Sequence, residues 1–279
     1  MKFLVPTDFS DNAFHASMYA LTLAQAKPGS TVHLVHVLTP VLYDPLIIGD
    51  VEEDTDQFLE KMATELKAKC NNCTTITHSV EIGDTVAEIN KISNEQSVGF
   101  IIMGIKGLGK TQRFLFGSNT ISLTNRSSRP VLVVPETAAL VAPRKIVFAT
   151  DYYDSDTEAL QQLIPIATAF NAEIVVVHLF DEREEEQSEL IMTNFLSSQL
   201  FKDIEYPRIS YRVYYNERTA QGIKNFCTSI SADLLVLSAR KHTIFDDLFR
   251  KSVTKELSYN SEIPLVIFHV QKSHSPQPK

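Results

Sequence analysis

Short apolar runs alternate with longer amphipathic stretches along this chain, and the alternation predicts strands and helices in turn. Lys2-Phe-Leu-Val5 reads as a first strand, and Pro6-Thr-Asp-Phe-Ser10 as the turn after it. Ser10 or Asp11 is suited to cap a helix over 12–27, which Pro28-Gly29 ends. Thr31-Val-His-Leu-Val-His-Val-Leu38 predicts the second strand. Residues 39–55, with Pro40, Pro45 and Gly49, read as a loop before an amphipathic helix over 56–69. A third strand is expected over 74–80, a helix over 85–96 with Val86, Ile89 and Ile92 on one face, and a fourth strand over 98–103. A further helix starts near Ser118, and Arg129-Pro-Val-Leu-Val-Val-Pro135 gives a fifth strand.

The pattern then restarts. Lys145-Ile-Val-Phe-Ala-Thr-Asp151 repeats Lys2-Phe-Leu-Val-Pro-Thr-Asp8 at an offset of 143 residues, and His178 repeats His36 at 142. Asp233-Leu-Leu-Val-Leu-Ser238 repeats Gly99-Phe-Ile-Ile-Met-Gly104 at 134, and Ile263-Pro-Leu-Val-Ile-Phe268 repeats Arg129 to Val134 at the same offset. The second copy therefore has the shorter excursion between its second and fourth strands. The predicted fold is α/β: two repeated five-stranded parallel sheets, Rossmann-like, with helices on both faces. The first domain covers 1–139 and the second 140–273, with 136–144 as the linker and 274–279 as a disordered tail. Ligands of such sheets bind beyond the carboxyl ends of the strands at a switch in strand order. Asp8 follows strand one and Gly104 follows strand four; if those strands are neighbours across the switch, both signals converge on one crevice.

The stretch from Gly104 to Ser118, GIKGLGKTQRFLFGS, carries the strongest chemical signal. Glycine-rich turns between a strand and a helix present backbone N–H groups to phosphate, and a helix N-terminus favours an anion. Two spacings overlap in it. Gly104, Gly109, Lys110 and Thr111 satisfy G-x-x-x-x-G-K-[ST], the P-loop pattern. Gly104, Gly107, Gly117 and Ser118 satisfy G-x2-G-x9-G-S. A P-loop needs its helix to begin at Lys110, where only seven residues precede Gly117. It also needs an acid for Mg²⁺. Asp151 is available for that, but it is explained better as the repeat of Asp8.

Bulk properties narrow the partners. The net charge of −8 argues against nucleic acid, whose binding depends on basic side chains. No stretch approaches 18 apolar residues, so no membrane span is expected, and MKFLVPTDFS reaches Pro6 and Asp8 too early for a signal peptide. Three cysteines are too few for a disulfide scaffold, and a cytoplasmic location is the simplest reading.

Val5-Pro-Thr-Asp-Phe-Ser10, Leu34-Val-His-Val37, the G-x2-G-x9-G-S spacing and Arg129 to Val134 together resemble the universal stress protein family, twice over in one chain. The resemblance implies an adenine-nucleotide alpha hydrolase-like fold and a pseudo-twofold pair of repeats. That pair would run through the fifth strands, Val131–Val134 and Leu265–Phe268, with a further homodimer left open. It implies a stress-response protein that binds ATP, with Mg²⁺ as an optional companion. Asp8 and Val37 would meet base and ribose, flanked by Pro6, Thr7 and Met103. Gly104, Gly107, Gly117 and Ser118 would hold the phosphates, with Asn119 adjoining. No residue is assigned a catalytic or metal-ligating role. Two alternatives stay open: an interaction module without nucleotide, and a weak ATP hydrolase whose turnover Lys110→Ala would abolish.

The second repeat departs from the motif. Ser238, Lys241 and Lys251 stand where Gly104, Gly107 and Gly117 stand in the first, and only Ser252 keeps its partner Ser118. The first repeat is therefore expected to bind nucleotide and the second to be structural. Arg240, Lys241, Arg250 and Lys251 leave a different anion open there. Cys70-Asn-Asn-Cys73 is a CxxC without further ligands nearby except His78, and reads as an incidental helix-end pair. His36 and His178 recur at equivalent strand positions and read as hydrogen-bonded core histidines. Glu182 to Glu186 reads as a solvated charge run.

Overall fold

The computed structural model describes residues 1–40, 48–70, 74–105, 118–150, 154–180, 190, 193, 204–216, 219–239 and 263–269. The chain forms two compact units: Met1–Pro143 with Ser258–Ile267, and Arg144–Leu257 with Phe268–Lys279.

In the first unit, β1 (Lys2–Pro6) pairs in parallel with β2 (Thr31–Leu38) on one side and β4 (Phe100–Ile105) on the other. β3 (Thr75–Ile82) extends the sheet beyond β2, and β5 (Val131–Pro135) extends it beyond β4. The order is β3-β2-β1-β4-β5, so the direction of winding reverses between β1 and β4. Leu265–Ile267, from the last strand β10 (Leu265–His269), runs antiparallel to β5, with Val266 opposite Leu132. The central strands are almost wholly apolar and buried, as strands covered on both faces must be.

Helix α1 (Asp11–Ala26) starts because Ser10 accepts a hydrogen bond from the Ala13 N–H at 3.3 Å. It stops at Ala26, with Lys27 an extended C-cap, because Pro28 follows, and Gly29 (φ 79°) then turns the chain. Its buried face is built largely of small residues (Ala13, Ala16, Ser17, Ala20 and Ala24), and this lets it lie close to β4. Helix α2 (Ile48–Ala68) packs on β3, and α3 (Thr85–Glu95) on β2, with α4 (Ser118–Arg126) against α3. Asp84 caps α3 by accepting from the Ala87 N–H at 2.9 Å. Right-handed crossovers place α1 and α2 on one face of this sheet and α3 and α4 on the other.

Two boundaries differ from expectation. Residues 48–55 are helical rather than loop. Gly49 sits in the first turn of α2, where glycine costs about 1 kcal/mol at most, and Asp50 brings a carboxylate to the positive end of the helix. The fourth strand begins at Phe100, because Ser97 (φ 50°) turns the chain and the Gly99 N–H is held by the Lys2 carbonyl at 2.8 Å. Gly104 therefore lies inside β4, opposite Val134, and not in the turn beyond it.

In the second unit, β6 (Lys145–Ala149), β7 (Glu173–Phe180), β8 (Ile209–Tyr215) and β9 (Leu234–Ala239) are parallel, in the order β9-β6-β7-β8. Helices α5 (Asp154–Phe170) and α6 (Thr219–Ser229) accompany them. The register repeats that of the first unit. Leu4 faces Ile101 and His33, and Val147, 143 residues on, faces Leu235 and Val175.

Candidate functional site

The turn after β1 is tied down by its own polar groups. The Thr7 N–H donates to the Val35 carbonyl at 2.9 Å, and the Phe9 N–H donates to Thr7 Oγ1 at 3.0 Å. Asp8 Oδ1 accepts from both the N–H (3.0 Å) and the hydroxyl (2.5 Å) of Ser10. These bonds hold Phe9 at a φ of 62°, a conformation unusual for a bulky side chain. Its ring stacks on His36 with 4.9 Å between centroids. A carbonyl only accepts, so His36 must carry its proton on Nδ1 to bond the Thr7 carbonyl at 2.7 Å. Asp8 is left exposed at the carboxyl end of β1, its position fixed by the turn.

On the other side of the winding reversal, β4 ends in Met103-Gly104-Ile105. A Cβ on Gly104 would stand 2.2 Å from the Asn12 carbonyl oxygen and 3.2 Å from the Ala13 nitrogen. Its φ is not in the left-handed region, so the glycine is required by the close approach of α1 and not by backbone conformation.

Between these walls lies a cavity of about 480 Å³, within the size range of small-molecule sites. Pro6, Thr7 and Asp8 line it from the first turn, Val37 from the end of β2, and Met103 and Gly104 from β4. Asn119 lines it from α4, whose first turn holds no acidic side chain, so its N-terminal end is free to favour an anion. Ser118 opens α4. Gly107 and Gly117, and with them Gly109, Lys110 and Thr111, lie outside the described residues.

Sequence reasoning missed several lining residues. Ser10, Asn12 and Ala13 enter from the start of α1, His36 from β2, Thr85 and Ile89 from α3, and Thr120 from α4. The signal for the first group was present: a capped helix start directly after the Asp8 turn must place its first residues at the crevice. Ala13 gave none, because an alanine on an apolar helix face reads as core. Thr85 and Ile89 come from across the sheet and only the winding order brings them in.

The other candidates sit as follows. The His178 Nδ1–H donates to the Thr150 carbonyl at 2.9 Å, the same tie that His36 makes to Thr7. Cys70 is half-buried at the end of α2, and Cys73 lies outside the described residues. Among the described residues, no cluster of three or more His, Cys, Asp or Glu is placed to hold a metal ion. His33, buried between Thr77 Oγ1 (2.8 Å) and Ser79 Oγ (3.1 Å), has its pKa lowered to about 4, first by burial and then by Lys2 and His78. Asp151, the charge run at Glu182–Glu186, the tail over 274–279, and Arg240, Lys241, Arg250, Lys251 and Ser252 also lie outside the described residues. No helix among the described residues is long and apolar enough to cross a membrane.

Comparison with known proteins agrees with the tandem pattern. The sequence pattern of the universal stress protein family matches residues 1–135 and again 143–269. A universal stress protein of Methanocaldococcus jannaschii is 29% identical over 152 residues, which cover 48% of this chain and 93% of that protein. The crystal structure of a universal stress protein from Archaeoglobus fulgidus superposes with a TM-score of 0.75 at 18% identity, over 96% of this chain and 98% of its own. A structure described as that of a putative universal stress protein from Pseudomonas aeruginosa gives 0.60 at 13% identity, over 96% and 92%. At these identities the two structures show the shared fold.

Proposed function

The chain belongs to the universal stress protein family, with two of its domains in tandem, and on that premise we propose that it is a stress-response protein that binds ATP in its first domain. In this reading it works in the cytoplasm as a nucleotide-dependent signalling or scaffold module. The first domain takes residues 1–139 and the second 140–273.

One observation carries the proposal. The strand-order reversal between β1 and β4 opens into a cavity of about 480 Å³ whose walls offer groups suited to an adenine nucleotide. Asp8 stands exposed and clamped by Ser10, ready to accept hydrogen bonds from a base or ribose. Val37 and Met103 give apolar surface for a purine. Asn119 and the uncompensated N-terminal end of α4 suit phosphate. By the spacing of the sequence motif, Gly104, Gly107, Gly117 and Ser118 are the residues assigned to the phosphates, with Mg²⁺ as an optional companion.

Calorimetric titration with ATP and Mg²⁺, on the wild type and on Gly117→Lys, tests this. The variant copies Lys251 of the second repeat into the first. Binding of about one nucleotide per chain, lost in the variant, is the expected result. A wild type that takes up none sinks the reading. It would then favour an interaction module without nucleotide, which has its own support: Gly104 is already required by the packing of α1.

A further inference from the structure

The two units differ at a pair of positions that the sequence motif does not single out. In the first unit Ala13 and Gly104 line the cavity side by side. Helix α5 begins 143 residues after α1, and β9 pairs with β6 as β4 pairs with β1, so the equivalents are Asp156 and Ser238. Asp156 lies in the first turn of α5 and is only 1% exposed. Its Oδ2 accepts from the Thr150 hydroxyl at 2.7 Å, and its Oδ1 accepts from the Ser238 hydroxyl. A buried carboxylate therefore sits where the first unit has a methyl group and a bare backbone.

We infer that this pair of positions is a second bar to polyphosphate in the second unit, beside Lys241 and Lys251: Ala13 and Gly104 leave the first crevice open, and the Asp156 carboxylate, held by Thr150 and Ser238, opposes an anionic nucleotide in the second. The inference rests on the nucleotide reading of the first crevice. Its reasoning is electrostatic and steric together. The carboxylate occupies the place beside Ser238 that Ala13 leaves open beside Gly104. A phosphate brought beside it meets a like charge. The hydroxyls of Thr150 and Ser238 are already committed to the carboxylate.

Four full-length variants test it, each titrated with ATP and Mg²⁺ and checked for folding by its thermal unfolding curve. Lys241→Gly with Lys251→Gly is expected to leave the stoichiometry at one nucleotide per chain, and adding Asp156→Ala with Ser238→Gly to that chain is expected to raise it to two. Ala13→Asp is expected to weaken the first site by at least about tenfold, and Ala13→Asn, of the same size without the charge, by at most about threefold. A folded fourfold variant that still binds a single nucleotide overturns the inference, and so does a twofold lysine variant that already binds two. So does an Ala13→Asp chain that binds like the wild type, or an Ala13→Asn chain that loses as much. Should the fourfold variant fail to fold, the two Ala13 variants decide alone. A wild type that binds none beside a fourfold variant that binds one removes the reading of the first crevice and leaves this inference standing. No binding to either removes both.

Discussion

Gly104 has two competing explanations, ligand and packing, and Gly104→Ala separates them when it is measured without nucleotide. The added Cβ would stand 2.2 Å from the Asn12 carbonyl oxygen, 2.6 Å from the Asn12 carbonyl carbon and 3.2 Å from the Ala13 nitrogen. All three are backbone atoms in the first turn of a capped helix, so no side chain can rotate away. Relief requires α1 to back off from β4 by about 1.2 Å or more, the gap between 2.2 Å and ordinary contact at about 3.4 Å. That movement opens space along an interface whose other residues are fully buried, among them Ala16, Ala20 and Ile101. Overpacking in a well-filled core costs about 1–3 kcal/mol, and a clash with backbone on the fixed side belongs at the upper end, so we expect about 2–3 kcal/mol. For a unit of this size that lowers the melting temperature by roughly 4–12 °C. Thermal and urea unfolding of the ligand-free protein are the assays. A Gly104→Ala chain that unfolds within about 0.5 kcal/mol of the wild type would refute the packing argument and return the glycine to the ligand alone.

Two further outcomes follow from burial. The imidazole of His33 ionises near 6.5 when unfolded and near 4 when folded, so its contribution is complete above pH 6.5 and is lost as the pH falls from there through 4. Urea unfolding should show about 2–3 kcal/mol of stability lost over that interval, and His33→Gln should flatten the dependence; an unchanged slope in the variant refutes it. Burial pushes the Cys227 thiol up to about 12, so at pH 8 it should resist iodoacetamide in the folded protein and react once urea unfolds the chain. Alkylation of Cys227 at the rate of a free thiol in native protein would contradict its placement.

The fold was legible because its two signals are periodic and redundant. Each strand is a continuous apolar run, and the whole series appears twice, so the repeat corrects what a single pass leaves ambiguous. What failed was local. Gly49 looked like a breaker because a sequence does not say whether a glycine lies in the middle of a helix or in its first turn, where an acidic neighbour offsets its cost. Gly104 looked like a turn glycine because its neighbours in the motif are glycines; its role inside β4 depends on where α1 passes, 92 residues earlier in the chain. Asp8 was visible as a turn acid. Its clamping by Ser10 was not, since the same two residues would read equally well as alternative helix caps.

The comparison of the two crevices shows which parts of such a site the fold itself demands. Both units keep the histidine-to-threonine tie, at 2.7 and 2.9 Å. Both keep the threonine N–H bonded back to the second strand, Thr7 to Val35 at 2.9 Å and Thr150 to Val177 at 3.0 Å. These bonds satisfy backbone groups at the carboxyl end of the first strand that would otherwise be buried unpaired, at about 1–3 kcal/mol each. The frame of the crevice is therefore needed for folding whether or not a ligand enters. Its lining carries no such obligation. Ala13 and Gly104 can become Asp156 and Ser238 because the pair satisfies itself, the hydroxyl donating to the carboxylate. The frame can thus be kept while the lining changes. For this reason the Thr-Asp pair that the second repeat's sequence retains says nothing about binding there, and the buried Asp156 with Ser238 says more.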